Sequence, residues 1–426
     1  MGRVLFESEE LKKRFYETFL YCEENNIDFM VDSIDLDPYS LGKDFILTEF
    51  LNKEDFEEDV YITDNTEIRV ILPHSEDDEE ISFGYFYQAI RNALQGRIEE
   101  NKQFISPYLY LVHVSCDFIL LEKLNQHSYS IKQQWGDTDI HISITQGLTS
   151  FGLRLTMDGE YDEYYPPVLS NETFIEVLAK DKMDPQTFEE IVQSYIFELQ
   201  ATFPLNVQRS IRITGIDYYD DEDEVAVLNK QQIKMRPLMR GKGISSLLKI
   251  YNSCNEVQDN EFRILNYTKV IEYVSQTVIR KEMLDSVLKK LYSPKVLQPN
   301  ATYILELEKL YDEHRNNKKD HQAIKLTIET CCDLADIIDT APVFLKKHNE
   351  LKKNRDNKEL RSACFDELAN AVSDTRNMLA HAKTNYKLKG NECPNDQLSE
   401  FADCLKVVAI QVIRWFARQH EDSRII

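Results

Sequence analysis

Glycine is scarce in this chain: only 12 of its 426 residues are Gly, whereas about 7% is typical of globular proteins. Neither the G-x-G-x-x-G pattern nor the G-x-x-x-x-G-K-[ST] pattern occurs, so no glycine-rich loop is predicted to hold a nucleotide phosphate. A small nucleotide ligand bound to the N-terminal half is one hypothesis for regulation. The shortage of glycine and the absence of alternating βα units argue against it.

Long apolar runs and paired cysteines are also missing. No stretch approaches the ~18 apolar residues of a membrane span, and Met1–Phe19 lacks the basic-flanked apolar core of a signal peptide. The eight cysteines are scattered and none forms a C-x-x-C pair, which favours reduced thiols over a disulfide framework or a zinc site. We therefore expect a cytoplasmic protein with no membrane contact.

Basic residues are few in the first half of the chain. Residues 1–224 hold 47 Asp and Glu but 17 Lys and Arg, a net charge of −30, whereas residues 225–426 hold 27 and 33, a net charge of +6. This asymmetry suggests different partners for the two halves, although a well-solvated first half would explain it equally well. The acidic run Asp217–Glu224 is followed by six basic and no acidic residues in 225–255, which predicts a connector at 225–243.

The hydrophobic patterns predict an α+β fold: a mixed α+β domain over residues 1–224 and an all-helical bundle over residues 244–426. The predicted elements of the first domain are helices at Leu11–Glu24, Tyr85–Lys102, Glu172–Lys180 and Pro185–Ala201, and strands at Leu109–Leu121, Asp139–Gln146, Phe151–Met157 and Val207–Ile216. The bundle is predicted from amphipathic stripes over Glu261–Tyr292, His321–Asp339, Leu360–Leu379 and Gln397–His420.

An arginine interrupts one of these stripes. Arg376 follows Val372 and precedes Leu379 at positions that the periodicity assigns to the core. An arginine is rarely buried without a partner, so Arg376 either pairs with a carboxylate, such as Glu272 or Asp336, or lines a groove that binds an anion.

His381 follows Arg376 by five residues. Residues so spaced lie roughly 140° apart on a regular helix. The two side chains can therefore serve one phosphate only if the helix ends or distorts there, or if two copies of the chain share a site. As an ordinary structural residue, His381 would instead interact with the helix dipole. A looser spacing, Arg315 to His321, falls in an all-polar stretch typical of a loop.

The segment Arg376-Asn377-Met378-Leu379-Ala380-His381 resembles the signature of the HEPN superfamily of all-helical ribonucleases, in which an Arg and a polar residue precede a His. The segment Phe262–Tyr273 also resembles the first long helix of the Apea-like branch, and Glu272 matches its recurring carboxylate. The resemblance covers about residues 240–426 and no part of residues 1–224. Lys383 stands where one toxin subgroup carries a Tyr, so regulation by tyrosine modification is not implied.

The resemblance implies a metal-independent endoribonuclease, without a cofactor, that acts in prokaryotic antiviral defence by abortive infection. It implies catalytic roles for Arg376, Asn377, His381 and Glu272. These residue types suit RNA cleavage by attack of the 2′-hydroxyl group, because His381 can transfer protons near neutral pH and Arg376 can bind a phosphate through two donors. Asn377 can orient the histidine or donate to a phosphate oxygen. One histidine cannot easily be both acid and base, which favours a homodimer with a shared site.

Two further candidate sites are weaker. The basic stretch Phe344–Arg361 can follow an RNA backbone or can simply be a solvated loop; its candidate RNA-binding residues, with Lys383, are Lys346, Lys347, Lys352, Lys353 and Arg355. Asp137, Asp139 and His141 alternate along a predicted strand, which suits the solvent face of that strand better than a metal site.

Two functions remain open at this point. The first is a ribonuclease effector whose acidic N-terminal domain senses a host or phage-derived trigger or restrains the nuclease. The second is a non-catalytic dimerisation or adaptor protein whose N-terminal domain binds a partner protein. Only the first requires the chemistry of Arg376 and His381.

Overall fold

The computed structural model describes residues 3–31, 34–35, 59–75, 78–116, 124, 126–169, 172–212, 234–254, 257, 259–355, 357–380 and 387–426. The chain forms two compact units. The first consists of Met1–Val192 and Leu205–Pro237, and the second of Gln193–Pro204 and Leu238–Ile426. The N-terminal part is built largely from strands and the C-terminal part from helices, which confirms the predicted α+β class.

Three sheets run through the described part of the first unit. Their strands are β1 (Val4–Phe6), β2 (Asp28–Val31), β3 (Ile34–Asp35), β4 (Val60–Ile62), β5 (Glu67–Ile71), β6 (Glu79–Ser82), β7 (Arg97–Glu99), β8 (Gln103–Ile105), β9 (Leu109–Cys116), β10 (Ile131–Trp135), β11 (Thr138–Gln146), β12 (Thr173–Ala179) and β13 (Val207–Arg209). Strands β1 and β4 form a parallel pair. The order β3-β2-β5-β6 forms a second sheet, and β10-β11-β12-β9-β8-β7, with β13 on β9, forms the largest.

Helices cover these sheets and complete the core. They are α1 (Glu9–Asn25), α2 (Phe83–Gln95), α3 (Gln126–Tyr129), α4 (Ser150–Asp158) and α5 (Pro185–Thr202). The buried rings of Phe15, Phe29 and Phe83 pack together with centroids 5.5–5.8 Å apart. The predicted start of α5 is confirmed, because the Asp184 carboxylate accepts a 3.0 Å hydrogen bond from the Thr187 amide.

Two predicted elements of the first unit are wrong in type. Glu172–Lys180 was expected to be helical, but Thr173–Ala179 is strand β12, paired on both sides and buried at nearly every position. Phe151–Met157 was expected to be a strand, but it lies in helix α4, which ends at Asp158 and is capped by Gly159 with φ = 68°. Burial on all sides removes the alternation that distinguishes a strand from a helix.

Other predicted elements end earlier than expected. The helix predicted over Tyr85–Lys102 ends at Gln95, and β7 follows. A Cβ atom on Gly96 would lie within 2.5 Å of two ring atoms of Phe104, so the chain turns where only glycine fits. Strand β9 ends at Cys116, and β13 ends at Arg209; residues 117–121 and 213–216 of those predictions lie outside the described residues.

The second unit is helical in its described part. After the last residues of α5, its helices are α6 (Ile244–Asn252), α7 (Asn260–Leu291), α8 (Ala301–Asn317), α9 (Asp320–Cys331), α10 (Leu334–Thr340), α11 (Lys346–Lys353), α12 (Lys358–Ala380) and α13 (Leu398–Ala417). The helix predicted over His321–Asp339 is two helices, because the backbone is extended at Cys332 and Asp333 caps α10. The other three predicted long helices are confirmed.

The core of the second unit is built around α7, which packs against α13, α9 and α12. Residues of α5 belong to this core: Phe197 is fully buried, and Glu198 forms a 2.9 Å ion pair with Arg414 of α13. The domain boundary predicted from the sequence places both residues in the N-terminal domain instead. Residues 234–243 of the predicted connector carry no regular helix or strand, and the rest of it lies outside the described residues.

Candidate functional site

Arg376 lies on the penultimate turn of α12, where the apolar stripe of that helix reaches the surface of the bundle. Leu368 and Val372 of the stripe are fully buried, while a quarter of the Arg376 side chain is exposed. The helix remains regular through Ala380. An arginine suits this position because its alkyl stem covers apolar neighbours while its guanidinium group reaches polar partners.

Carboxylates from two other helices meet this guanidinium group. Oε1 of Glu272, on α7, accepts hydrogen bonds from Nε at 3.1 Å and from Nη2 at 2.5 Å. Oδ2 of Asp320, the first residue of α9, accepts from Nη2 at 3.3 Å. The remaining terminal nitrogen, Nη1, donates to the side-chain oxygen of Asn377 at 2.9 Å.

These contacts decide part of what the sequence left open. Arg376, Asn377 and Glu272, three of the residues to which the resemblance assigns catalytic roles, are in contact. Glu272 is also one of the two carboxylates named as partners if Arg376 only forms an ion pair. The other carboxylate named there, Asp336, accepts instead from the side chain of Gln411. Asp320 was not predicted, because no local pattern marks it and it is 56 residues from Arg376 in the sequence.

The electrostatics of this cluster keep Arg376 charged. Partial burial works against the charge, but the hydrogen bonds and negative charges of Glu272 and Asp320 outweigh it, so the pKa of Arg376 is raised above its ordinary value. One cation thus faces two anions. Asp320 is the more accessible of the two, since 69% of its side chain is exposed compared with 37% for Glu272.

His381 and Lys383 lie outside the described residues. The chain that follows them is anchored to α12 one turn before its end. Asp374, whose side chain is buried, forms a 2.7 Å ion pair with Lys389 and accepts from Asn391 at 2.9 Å. The Cys393 amide donates to the Thr375 hydroxyl group at 2.8 Å. The chain therefore returns to the end of α12 that carries Arg376.

The predicted RNA-binding lysines lie on a short helix rather than on a loop. Lys346, Lys347, Lys352 and Lys353 are all on α11. Glu367 of α12 fixes the start of that helix: it accepts from the Lys347 and His348 amides at 3.0 and 3.2 Å and pairs with the buried His348 ring at 2.8 Å. Burial opposes its charge, but these donors hold the pKa of Glu367 below its ordinary value.

The structure does not bring α11 and Arg376 to the same side of α12. Glu367 faces α11 and precedes Arg376 by nine residues, which is about 180° around a helix. Arg355, also predicted to bind RNA, forms a 2.9 Å ion pair with Asp339. Any RNA that touches both α11 and Arg376 must therefore pass around α12.

The structure also places the other histidines singled out from the sequence, His321 and His141. The stretch from Arg315 to His321 was predicted to be a loop, but most of it is helical, because Arg315 lies in α8 and His321 in the first turn of α9. The Nε2 atom of His321 is buried without a hydrogen-bond partner among the described residues. His141 pairs with the Ser130 hydroxyl group at 2.7 Å, and Asp139 lies 3.7 Å from Lys180. Within the described ranges, no group of three or more His, Cys, Asp or Glu residues is arranged to hold a metal ion.

Comparison of the chain with protein-family models, with curated proteins and with solved structures gives no match. Among the helices that the structure describes, none combines the length and apolar character needed to cross a membrane. The cluster around Arg376 is therefore the feature of the molecule from which a function can be proposed.

Proposed function

We propose that this protein is a metal-independent endoribonuclease of the HEPN type whose site is formed by Arg376, Asn377, Glu272 and His381. The observation that carries the proposal is the convergence of Glu272 and Arg376 from helices 104 residues apart, at the end of α12 that the signature occupies. In this proposal Arg376 binds the scissile phosphate and stabilises the charge of the transition state. His381 transfers a proton, and the product ends in a 2′,3′-cyclic phosphate.

The remaining parts of the proposal concern partners. RNA is the substrate, and a second copy of the chain supplies the second proton-transfer group, because each copy offers one histidine in the signature. The acidic N-terminal unit senses a trigger or restrains the nuclease, as expected for antiviral defence by abortive infection. A strongly negative neighbour disfavours RNA electrostatically until a partner binds to it.

A specific observation supports the alternative function. Each terminal nitrogen of Arg376 already has a side-chain acceptor within one copy of the chain, as expected if the cluster only fastens three helices together. The protein would then be a non-catalytic dimerisation or adaptor protein.

Cleavage assays with the full-length protein separate these functions. The wild type, incubated with labelled single-stranded RNA and EDTA, is expected to give fragments ending in a 2′,3′-cyclic phosphate. His381→Ala and Arg376→Ala should each lose about 10²–10⁴-fold in rate. His420→Ala, at an exposed histidine whose ring lies 3.5 Å from Asp422, should retain wild-type activity. Equal cleavage by all four proteins, or none by the wild type in the presence of infected-cell extract, would favour the adaptor.

A further inference from the structure

We propose that Asp320 is an autoinhibitory latch on Arg376, which occupies the phosphate-binding face of the guanidinium group until RNA displaces it. The inference rests on the proposed function, because it describes how the same arginine becomes available. The latch itself requires only that one carboxylate compete with a phosphodiester for one guanidinium group, whether or not the RNA is then cleaved.

The two carboxylates on Arg376 are not equivalent. Glu272 receives both Nε and Nη2 at one oxygen and comes from the middle of α7, a helix of 32 residues that lies at the centre of the bundle. Asp320 accepts a single hydrogen bond from this guanidinium group, from Nη2 at 3.3 Å, and it is the first residue of α9. Exposed ion pairs of this kind contribute little to stability, so Asp320 can leave at small cost while Glu272 stays.

The donor count explains why one of them must leave. A bidentate phosphate contact uses two N–H groups of a guanidinium fork. In the present arrangement Nε is committed to Glu272, Nη1 to Asn377, and Nη2 to Glu272 and Asp320. Departure of Asp320 opens the outer edge formed by Nη1 and Nη2, and it removes one of the two negative charges that repel an incoming phosphodiester.

Binding of an uncleavable strand tests the latch without depending on catalysis. The probe is a labelled single-stranded RNA in which fluorine replaces every 2′-hydroxyl group, and its dissociation constant is measured by fluorescence anisotropy at fixed ionic strength. Asp320→Asn should bind this strand about threefold more tightly than the wild type, since an exposed charge pair contributes only a small free energy for the RNA to overcome.

Matched variants separate the latch from a general change of charge. Asp312→Asn removes the same charge from α8, where the carboxylate lies 3.6 Å from Arg315 and 66% of its side chain is exposed; its binding should equal that of the wild type. Asp320→Glu keeps the charge and should also bind as the wild type does. The gain from Asp320→Asn should vanish when Arg376→Ala is also present, because the latch then has nothing to cover.

The outcomes are distinct. Unchanged or weaker binding by Asp320→Asn, an equal gain in Asp312→Asn, or a gain that persists beside Arg376→Ala would each overturn the latch. Unmodified RNA is assayed in parallel. Absence of cleavage by the wild type and by Asp320→Asn, together with the expected binding pattern, would refute the ribonuclease and leave the latch standing.

Discussion

Oε1 of Glu272 accepts hydrogen bonds from two nitrogens of Arg376, at 3.1 and 2.5 Å. Nε and Nη2 lie on one side of the guanidinium group, so this one oxygen holds that side of the group. Asn377 and Asp320 contact the remaining edge, formed by Nη1 and Nη2, which in the proposed function is the edge that a phosphodiester approaches once Asp320 leaves. The orientation of Arg376 therefore depends on α7, although the residue itself belongs to α12.

The first prediction concerns this orientation. Glu272→Ala should lower the rate of RNA cleavage at saturating RNA by about tenfold, because a poorly positioned charged group loses much of its effect on a transition state. Glu282→Ala, on the exposed part of the same helix, is the control and should cleave at the wild-type rate. Equal rates for both variants would contradict a positioning role for Glu272.

The second prediction separates binding from chemistry at α11. Replacement of Lys346, Lys347, Lys352 and Lys353 by Ala should raise KM for RNA and leave kcat unchanged. These lysines lie on the side of α12 opposite Arg376, so they can contribute only binding that is equal in the ground state and the transition state. Steady-state kinetics at two ionic strengths provide the measurement. A fall in kcat with unchanged KM would show that α11 takes part in the chemical step.

The third prediction concerns the attachment of α11. Glu367→Gln should lower the free energy of unfolding of the second unit by about 1–3 kcal/mol, because it weakens the cap on the start of α11 and the bond to His348. Urea denaturation monitored by circular dichroism provides the measurement, with the exposed Glu350→Gln as control.

The pH dependence of that variant provides a second check. The pKa of Glu367 is lower in the folded protein than its ordinary value of 4.5, so its contribution is fully present above that value and is lost as the pH falls through the folded pKa. The wild type and Glu367→Gln should therefore converge in stability under acidic conditions. A difference that stays constant down to strongly acidic pH would rule out this origin.

The fourth prediction concerns a buried carboxyl group in the first unit. Glu176 lies on strand β12 and, among the described residues, accepts a long hydrogen bond, 3.4 Å, from Tyr85. Burial raises its pKa to about 7, and the bond from Tyr85 offsets burial only in part. Folding therefore binds a proton at this group between its ordinary pKa of 4.5 and about 7, so its contribution to stability falls as the pH rises through that window.

Removal of the ionisable group should abolish this loss. Glu176→Gln is expected to stabilise the first unit at pH ~8 by at most about 3 kcal/mol, since one pKa unit corresponds to about 1.4 kcal/mol, and to have little effect at pH ~4. Hydrogen exchange of the β12 amides at the two pH values reports on this unit separately from the helical one. Equal protection of wild type and variant at the higher pH would contradict the prediction.

The sequence predicted the helices of the second unit better than the elements of the first. Stripes such as Ile264, Tyr267, Ile271 and Val274 repeat every three or four residues because one face of α7 is buried. In contrast, β12 and α4 are buried nearly all round, so neither showed a period that revealed its type. A hydrophobic period appears only where one face of a helix or strand is buried and the other is exposed, so an element buried on both faces shows none.

The candidate site was predictable only in part for a related reason. Arg376 could be singled out from the sequence because it interrupts an apolar stripe. Glu272 could be singled out because its segment, Phe262–Tyr273, resembles a helix of a known family. Asp320 follows a run of polar residues and gave no signal at all. Its contact with Arg376 arises from the antiparallel packing of α9 on α12, which is also seen in the 2.7 Å ion pair between Lys325 and Asp366.

The place of α5 has a consequence for dissecting the protein. Residues 193–204 precede the rest of the second unit by more than thirty positions, yet they supply Phe197 to its core and Glu198 to Arg414. A fragment beginning at residue 240 would lack the Phe197 ring, whose centroid lies 5.9 Å from the Arg414 guanidinium carbon. It would also leave Arg414 without its ion pair to Glu198. A fragment that keeps the second unit complete must therefore begin at or before residue 193, and it then also carries residues 205–237 of the first unit. Alternatively, the α5 segment can be supplied as a separate peptide to a fragment that begins at residue 238.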